Sequence, residues 1–293
     1  MKKSSSQLRI LEALDSPEMA SSCRQDLDIP RDKAAELGRS AVDAANRGYY
    51  LDSSGRKVDW RDAVATAQSS TQSIPPDARL DVSRGALTPE TRVRVCNNTT
   101  LQAASRMIDE GLRPLALNFA NGITPGGGFL TGARAQEEVL CRSSALYSTL
   151  LGDPMYACHR ERDEPDSTNW VIYSPDVPVF RTDGGRELDR PWLLSFITSA
   201  APYAPVIGQP ESGDLLQKRI HRVLEVATAY GYEALVLGAW GCGAFGNDTY
   251  RTACDFRSAL EGEFAGHFSD VVFAITDWSP ERRFLRQFAA VFS

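Results

Sequence analysis

Long apolar runs are missing from this sequence: nowhere do the roughly 18–20 consecutive apolar residues that a membrane helix needs occur. Met1-Lys2-Lys3 leads into polar Ser4-Ser5-Ser6-Gln7 with no apolar h-region, so no secretory leader is expected and the cytoplasm is the expected compartment. The six cysteines (Cys23, Cys96, Cys141, Cys158, Cys242 and Cys254) contain no C-x-x-C pair, which argues against a zinc ribbon or thioredoxin-type motif and predicts free thiols. The three histidines (His159, His221 and His267) stand far apart, and neither H-E-x-x-H nor a paired-aspartate pattern occurs. No metal and no cofactor is expected. A G-x-x-x-x-G-K-[ST] is absent, which removes the P-loop NTPases. A basic excess is also lacking: 32 Lys and Arg face 38 Asp and Glu, for a net charge of −6. A protein that grips a long polyanion by its phosphates alone normally carries a basic face. Sequence-specific nucleic-acid binding is therefore not expected. A phosphorylated ligand would have to be held by backbone N–H groups and a few placed arginines.

What is present is an ordinary globular composition, 42% apolar and 24% charged over 293 residues. That length suits one domain with an appendage as well as two small domains. Residues 1–85 read as a helical N-terminal extension packed on the core. A helix is predicted over 31–46, stopped by Arg47-Gly48, and a shorter one over 59–66. Residues 70–81 hold Pro75-Pro76 and read as a linker. Residues 86–293 read as the main domain. Strands are predicted over 92–96, 114–119, 170–174, 192–198, 234–238 and 270–275. Helices are predicted over 99–110, 136–150, 214–229, 248–263 and 280–291. Such alternation indicates a layered α/β domain with a mainly parallel sheet, whose ligands sit outside the carboxyl ends of the strands.

Two glycine-rich segments fall at strand ends. In the first, Gly126-Gly127-Gly128 is followed after seven residues by Gln136-Glu137-Glu138 at a helix start. Glycines there allow φ > 0 and close backbone approach, and the helix start brings orphan N–H donors beside two carboxylates. A glycine run alone is often only a flexible loop; the ordered succession of strand, glycines, carboxylates and helix is harder to dismiss. In the second, Gly238-Ala-Trp-Gly-Cys-Gly-Ala-Phe-Gly-Asn-Asp248 spaces Gly241, Gly243 and Gly246 to wrap N–H groups around phosphate oxygens. No strand with an acidic ribose ligand follows, so a dinucleotide-binding fingerprint does not fit. Trp240 and Trp192 read as core or pocket wall.

The pattern GGG–x7–QEE resembles the signature of poly(ADP-ribose) glycohydrolases, and Trp240–Gly246 is similar to that family's diphosphate loop. The layout most resembles the short, bacterial type. The resemblance implies a macrodomain-like three-layer α/β/α fold with a mixed sheet, and a glycosidase that reverses ADP-ribosylation. It further implies a setting in the DNA damage response, with poly(ADP-ribose), ADP-ribose and poly-ADP-ribosylated proteins as partners; a monomer is expected. By the same resemblance Glu138 takes the catalytic position and Glu137 a ribose-holding one. Gly126, Gly127, Gly128 and Gln136, with Gly241, Cys242, Gly243, Ala244, Gly246 and Asn247, would hold substrate. Phe245 would pack on the ribose beyond the diphosphate, and Asn121 would touch the ribose being cleaved. Asn118 stands where longer, animal-type members carry aspartate in D-F-A-N. Residues 198–203 are a candidate for the adenine pocket.

Adjacent residues at a helix start point roughly 100° apart, so Glu137 and Glu138 cannot easily flank one bond as the two carboxylates of an ordinary glycosidase do. The expected division is Glu138 as general acid/base and Glu137 as an ionised acceptor for ribose hydroxyls. A silent ADP-ribose-binding macrodomain, or an enzyme removing single ADP-ribose groups, would share the same fold and loops.

Overall fold

The chain is described by a computed structural model over residues 7–82 and 88–293. The expected boundary at 85/86 and the polar opening at 1–6 lie outside the described residues. The first elements are β1 (Gln7–Ile10), α1 (Pro17–Leu27), α2 (Arg31–Arg47), β2 (Tyr49–Leu51), β3 (Lys57–Asp59), α3 (Arg61–Ser70) and β4 (Gln72–Ile74). Then come β5 (Glu90–Cys96), α4 (Thr100–Asp109), β6 (Pro114–Ala120), a 3-10 turn (Phe129–Thr131), α5 (Gln136–Ser143), α6 (Leu146–Leu150) and α7 (Pro154–Arg160). The chain continues with β7 (Val171–Arg181), β8 (Glu187–Ala200), α8 (Ala204–Ile207), α9 (Glu211–Ala229), β9 (Ala234–Leu237), α10 (Thr249–Glu261), β10 (Asp270–Ala274) and α11 (Leu285–Val291). Among the described residues no helix is long and apolar enough to cross a membrane.

Local chemistry sets several of these boundaries. Thr99 and Gln102 close α4 with a reciprocal capping box, Asp248 accepts the Arg251 N–H to open α10, and Gly48 ends α2 in the left-handed conformation at φ 75°. Eight strands form one sheet in the order β1-β5-β10-β9-β6-β8-β7-β4. The six from β1 to β8 are parallel, whereas β7 runs antiparallel to β8 and β4 antiparallel to β7. Strand residues alternate between two apolar clusters, as the two-residue strand period requires. Leu115, Leu117 and Leu235 pack with Leu224, Phe256 and Phe288 of α9, α10 and α11. Ala116, Val236 and Phe196 face the other way, toward Trp60, Leu101, Leu140 and Met155. The result is a three-layer α/β/α arrangement around a mixed sheet, and the carboxyl ends of β5, β10, β9, β6 and β8 share one edge.

Four departures from the sequence expectations have local causes. The helix expected over 136–150 breaks at Ser144, which is extended and bridges to Val179. Its hydroxyl donates to Leu140 O and accepts from Leu146 N, offering the backbone an alternative to the helical ladder. The linker at 70–81 contains β4, whose Ile74 pairs with Val171. Residues before 83 thus supply both edge strands of the sheet. The strands expected over 170–174 and 192–198 are parts of a long hairpin, hidden by Pro175 and a register shift between Ser174 and Val177. Residues 280–284 form a turn instead of helix, because the Asp277 carboxylate holds the N–H groups of Ser279, Phe284 and Leu285.

The N-terminal part reaches the site through α2, which packs on α5 and the 3-10 turn. Gly38 makes this contact possible: a Cβ there would lie 2.6 Å from Phe129 O. Gly38→Ala gains about 1 kcal/mol of helix propensity. The clash is with backbone and forces α2 away, a strain that typically costs about 1–3 kcal/mol. The variant is therefore expected to melt below wild type in thermal denaturation; a higher Tm would mean that α2 is not seated this way.

Candidate active site

From the end of β6 the chain enters the loop at 121–135 and reverses at Gly126 and Gly127, with φ of 69° and 56°. It returns to α5, whose first residue is clamped to β6. The Gln136 Nε2 donates to Leu117 O (2.7 Å) and Thr100 Oγ1 (3.0 Å), and its Oε1 accepts from Phe119 N (2.9 Å). Glu137 and Glu138 follow in the first helical turn. Glu137 accepts the Asn121 N–H at 2.7 Å on Oε2 and the Asn118 amide at 3.3 Å on Oε1. Glu138 Oε1 accepts the Gly128 N–H at 3.0 Å. A Cβ at position 127 would stand 2.4 Å from Glu138 Oε1 and 3.1 Å from Glu137 Oε2, so only glycine lets the loop lie against the two carboxylates.

Both carboxylates are buried, Glu137 to 2% exposure and Glu138 to 8%. Burial pushes the Glu137 carboxyl up to about 8, the Asn121 N–H opposing and the Glu138 charge adding to the rise. Burial thus favours the neutral form of Glu137, where the sequence reading expects an ionised acceptor. One turn along α5, buried Arg142 donates through Nη2 to Asp183 O at 3.4 Å. Asp183 lines the cleft, accepts the Thr99 hydroxyl at 2.7 Å on Oδ2, and is pushed up to about 6 by burial. Glu138 Oε2, Arg142 Nε and Nη1, Asp183 Oδ1 and Asn118 Oδ1 are all shut from solvent without a partner among the described residues. A buried polar atom left unpaired costs about 1–3 kcal/mol. Of these residues, Glu138 and Asp183 border the cleft, while Arg142 and Asn118 lie behind it.

Opposite, the loop after β9 turns at Gly241 (φ 76°), where a Cβ would meet Ala201 Cβ and Asn247 Nδ2, each at 2.8 Å. The Asn247 amide staples this loop: Nδ2 donates to Pro202 O (2.9 Å) and Gly241 O (3.1 Å), and Oδ1 accepts the Ser212 hydroxyl. At Gly243 an added Cβ would meet nothing, so its backbone borders open space. Between the two loops lies a cleft of about 500 Å³. Its walls include Asn121, Glu137, Glu138, Asp183, Phe245 and Trp278, with Leu27 of α1 and Arg134 at the N-terminal side. Arg134 holds Asp28 Oδ1 at 2.9 Å and Ile29 O at 2.6 Å, tying that wall to the α1–α2 connection.

A family model described as microbial-type PARG, catalytic domain, matches residues 38–182. The crystal structure of poly(ADP-ribose) glycohydrolase from Thermomonospora curvata is similar at 41% identity, over 89% of this chain and 99% of that one, with a TM-score of 0.82. The chain belongs to the poly(ADP-ribose) glycohydrolase family. The T. curvata protein bound to the inhibitor ADP-HPD is likewise 41% identical, over 88% of this chain and 99% of that one, at a TM-score of 0.82. The Deinococcus radiodurans family member in complex with ADP-ribose is 37% identical over 78% of this chain and 96% of that one, at a TM-score of 0.71. No curated protein sequence matches the chain.

Of the residues expected at the family's site, Asn121, Gln136, Glu137, Glu138, Gly241, Gly243, Ala244 and Phe245 line the cleft. Gly126, Gly127 and Gly128 do not line it, because they lie against the glutamates and the Gly128 N–H is committed to Glu138. Gln136 borders the cleft, but its amide is fully engaged with the protein. Cys242, Gly246 and Asn247 also stay outside the lining: the buried Cys242 thiol points to Trp240 O at 3.5 Å, and Asn247 serves as the staple. Within 198–203 only Ala201 reaches the cleft. Trp240 is fully buried in the core and also walls the cleft, while Trp192 packs against the second apolar cluster. His159 is structural: Nδ1 donates to Gly122 O at 3.0 Å, Nε2 accepts the Thr168 N–H at 3.1 Å, and burial pushes the ring down to about 4. Sequence reasoning missed Asp183 and Arg142. Asp183 sits in a T-D-G-G turn that reads as an ordinary hairpin end, and Arg142 carries no motif of its own.

Gly127→Ala is expected to fold yet lose at least about 100-fold in kcat, since a 1 Å displacement of catalytic groups costs that much; near-normal turnover would refute the packing argument. The Glu137 shift has a stability signature. Its folded-state value of about 8 lies above the ordinary 4.5, so its burial opposes folding increasingly as pH climbs between those values. The Tm difference between Glu137→Gln and wild type should move in the variant's favour across that window and level off above it. A difference independent of pH would count against a neutral Glu137.

Proposed function

We propose that this chain hydrolyses ribose–ribose O-glycosidic bonds in poly(ADP-ribose) and releases ADP-ribose, with Glu138 as general acid/base. The observation that carries this reading is the Glu138 carboxylate: one oxygen is anchored on Gly128 N–H, and the other is unpartnered beside a cleft bordered by the second glycine loop. Membership of the family supports it, as does the binding of ADP-HPD by the T. curvata relative and of ADP-ribose by the D. radiodurans relative.

Protonated Glu138 gives its proton to the leaving 2′-oxygen as the C1–O bond breaks, and the bonding electron pair leaves with that oxygen. Water then adds to the oxocarbenium carbon, and the Glu138 carboxylate takes the proton this water loses. One water is consumed, and the products are ADP-ribose and a shortened chain. Glu137, turned away from the same bond, holds ribose hydroxyls. The loop at 238–248 receives the diphosphate through backbone N–H groups, which suits a chain whose net charge is −6. Poly-ADP-ribosylated proteins are the targets this chemistry implies.

The test is release of ADP-ribose from purified polymer by wild type and Glu138→Gln, with ADP-ribose affinity measured for both. Loss of a general acid/base is worth about 10²–10⁴-fold in rate, with affinity retained. Binding without cleavage by wild type would make the chain a reader of ADP-ribose. Release from singly modified protein but not from polymer would make it a mono-ADP-ribosyl hydrolase.

A further inference from the structure

A second pocket, of about 250 Å³, lies between β5 and α4 and shares Asn98 with the catalytic cleft. Three arginines line it. Arg92 is matched by Asp270 at 2.7 Å, and Glu110 also lies within its field. Arg94 and Arg106 have no hydrogen-bond or ion-pair partner among the described residues, and Glu110, four residues beyond Arg106, makes no ion pair with it. Arg94 Nε is moreover closed off from solvent. Both guanidiniums act on the Cys96 thiol at the end of β5, so two like charges share one small space. Unpaired cations held together repel, and a buried N–H without an acceptor carries a desolvation penalty. An anion with several oxygens removes both costs, and the guanidinium fork matches the oxygens of a phosphate or a carboxylate.

The substrate supplies such an anion at every repeat. The cleft accommodates one diphosphate, and the next diphosphate along the polymer must lie within one unit of it. Arg94 stands two residues, about 7 Å at the strand rise, before the end of β5 at Cys96, and Asn98 just beyond that end borders both the pocket and the cleft. We infer that the pocket between β5 and α4 is a subsite for the diphosphate of the neighbouring ADP-ribose unit, gripped by Arg94 and Arg106. This rests on the glycohydrolase reading. The subsite gives the chain a means of preferring polymer to free ADP-ribose, at a point where its overall charge offers none.

The experiment uses the full chain carrying Glu138→Gln, so that oligomers stay intact, with and without Arg94→Gln and Arg106→Gln together. Affinities are measured for ADP-ribose and for purified oligomers of two or more units. Loss of both arginines is expected to weaken oligomer binding about tenfold and leave ADP-ribose affinity within twofold. The slope of log affinity against log salt for oligomers should become shallower by about 1.4, since each of the two phosphate contacts contributes about 0.7 on a single strand. Replacing both arginines by lysine, which keeps the charge, should recover part of the loss while Tm stays unchanged. Unchanged oligomer affinity, or an equal fall for ADP-ribose and oligomer, would overturn the subsite. Polymer cleavage by wild type is scored separately, and its absence would sink the glycohydrolase reading instead.

Discussion

The Gln136 amide, bonded to Leu117 O, Phe119 N and Thr100 Oγ1, joins the first turn of α5 to the end of β6 and to the start of α4. A helix start is normally a frayed place whose N–H groups look for partners. Here a side chain with both donor and acceptor capacity locks it to the middle of the sheet. Glu137 and Glu138 inherit that rigidity, and the loop that leaves β6 can then close on them. The Asn121 N–H reaches Glu137 and the Gly128 N–H reaches Glu138 only because the two ends of this loop are held at a fixed separation. The placement of both carboxylates follows from this one clamp.

Two opposing fields meet at those carboxylates. A helix N-terminus favours negative charge by about 0.3–1 kcal/mol, rising to about 2 in partly buried sites. Removing a carboxylate from water works against ionisation more strongly, and a second carboxylate beside it adds to the effect. Burial wins at Glu137, whose carboxyl is pushed up to about 8. The pair thus divides by contact: both Glu137 oxygens accept N–H groups, whereas Glu138 leaves Oε2 without a partner among the described residues. Arg142 and Asp183 stand behind them, joined through the Arg142 guanidinium and the Asp183 carbonyl, with polar atoms of both incompletely satisfied. Such strain in satisfaction is tolerated where a ligand or water arrives to relieve it.

The N-terminal residues take part in the same construction. Helix α2 seats on the 3-10 turn through Gly38, Leu27 walls the cleft, and Asp28 and Ile29 hold Arg134 just ahead of the clamp. β1 and β4 close the two edges of the sheet. In the function proposed above, backbone N–H groups of the second glycine loop hold phosphate in the cleft, and a pair of arginines offers charge in the adjoining pocket. An acidic protein can in this way recognise a polyanion without a basic face.

By itself the sequence determined the alternation of strands and helices, the two glycine loops at strand ends, and the placing of Glu137 and Glu138 in a first helical turn. These are local matters: strand and helix periods, and glycine's access to φ > 0, are legible within a few residues. The identity of the family was legible for the same reason, since its signature is compact. Only the tertiary structure decided that Gly126–Gly128 support the carboxylates instead of lining the cleft, that Asn247 is a staple, and that Asp183 joins the site from a hairpin 45 residues beyond Glu138. It likewise decided that short β1 and β4 belong to the main sheet and that Arg94 and Arg106 share a pocket. Those facts depend on which strands become neighbours and on which buried polar atoms find partners, and chain separation carries no trace of either.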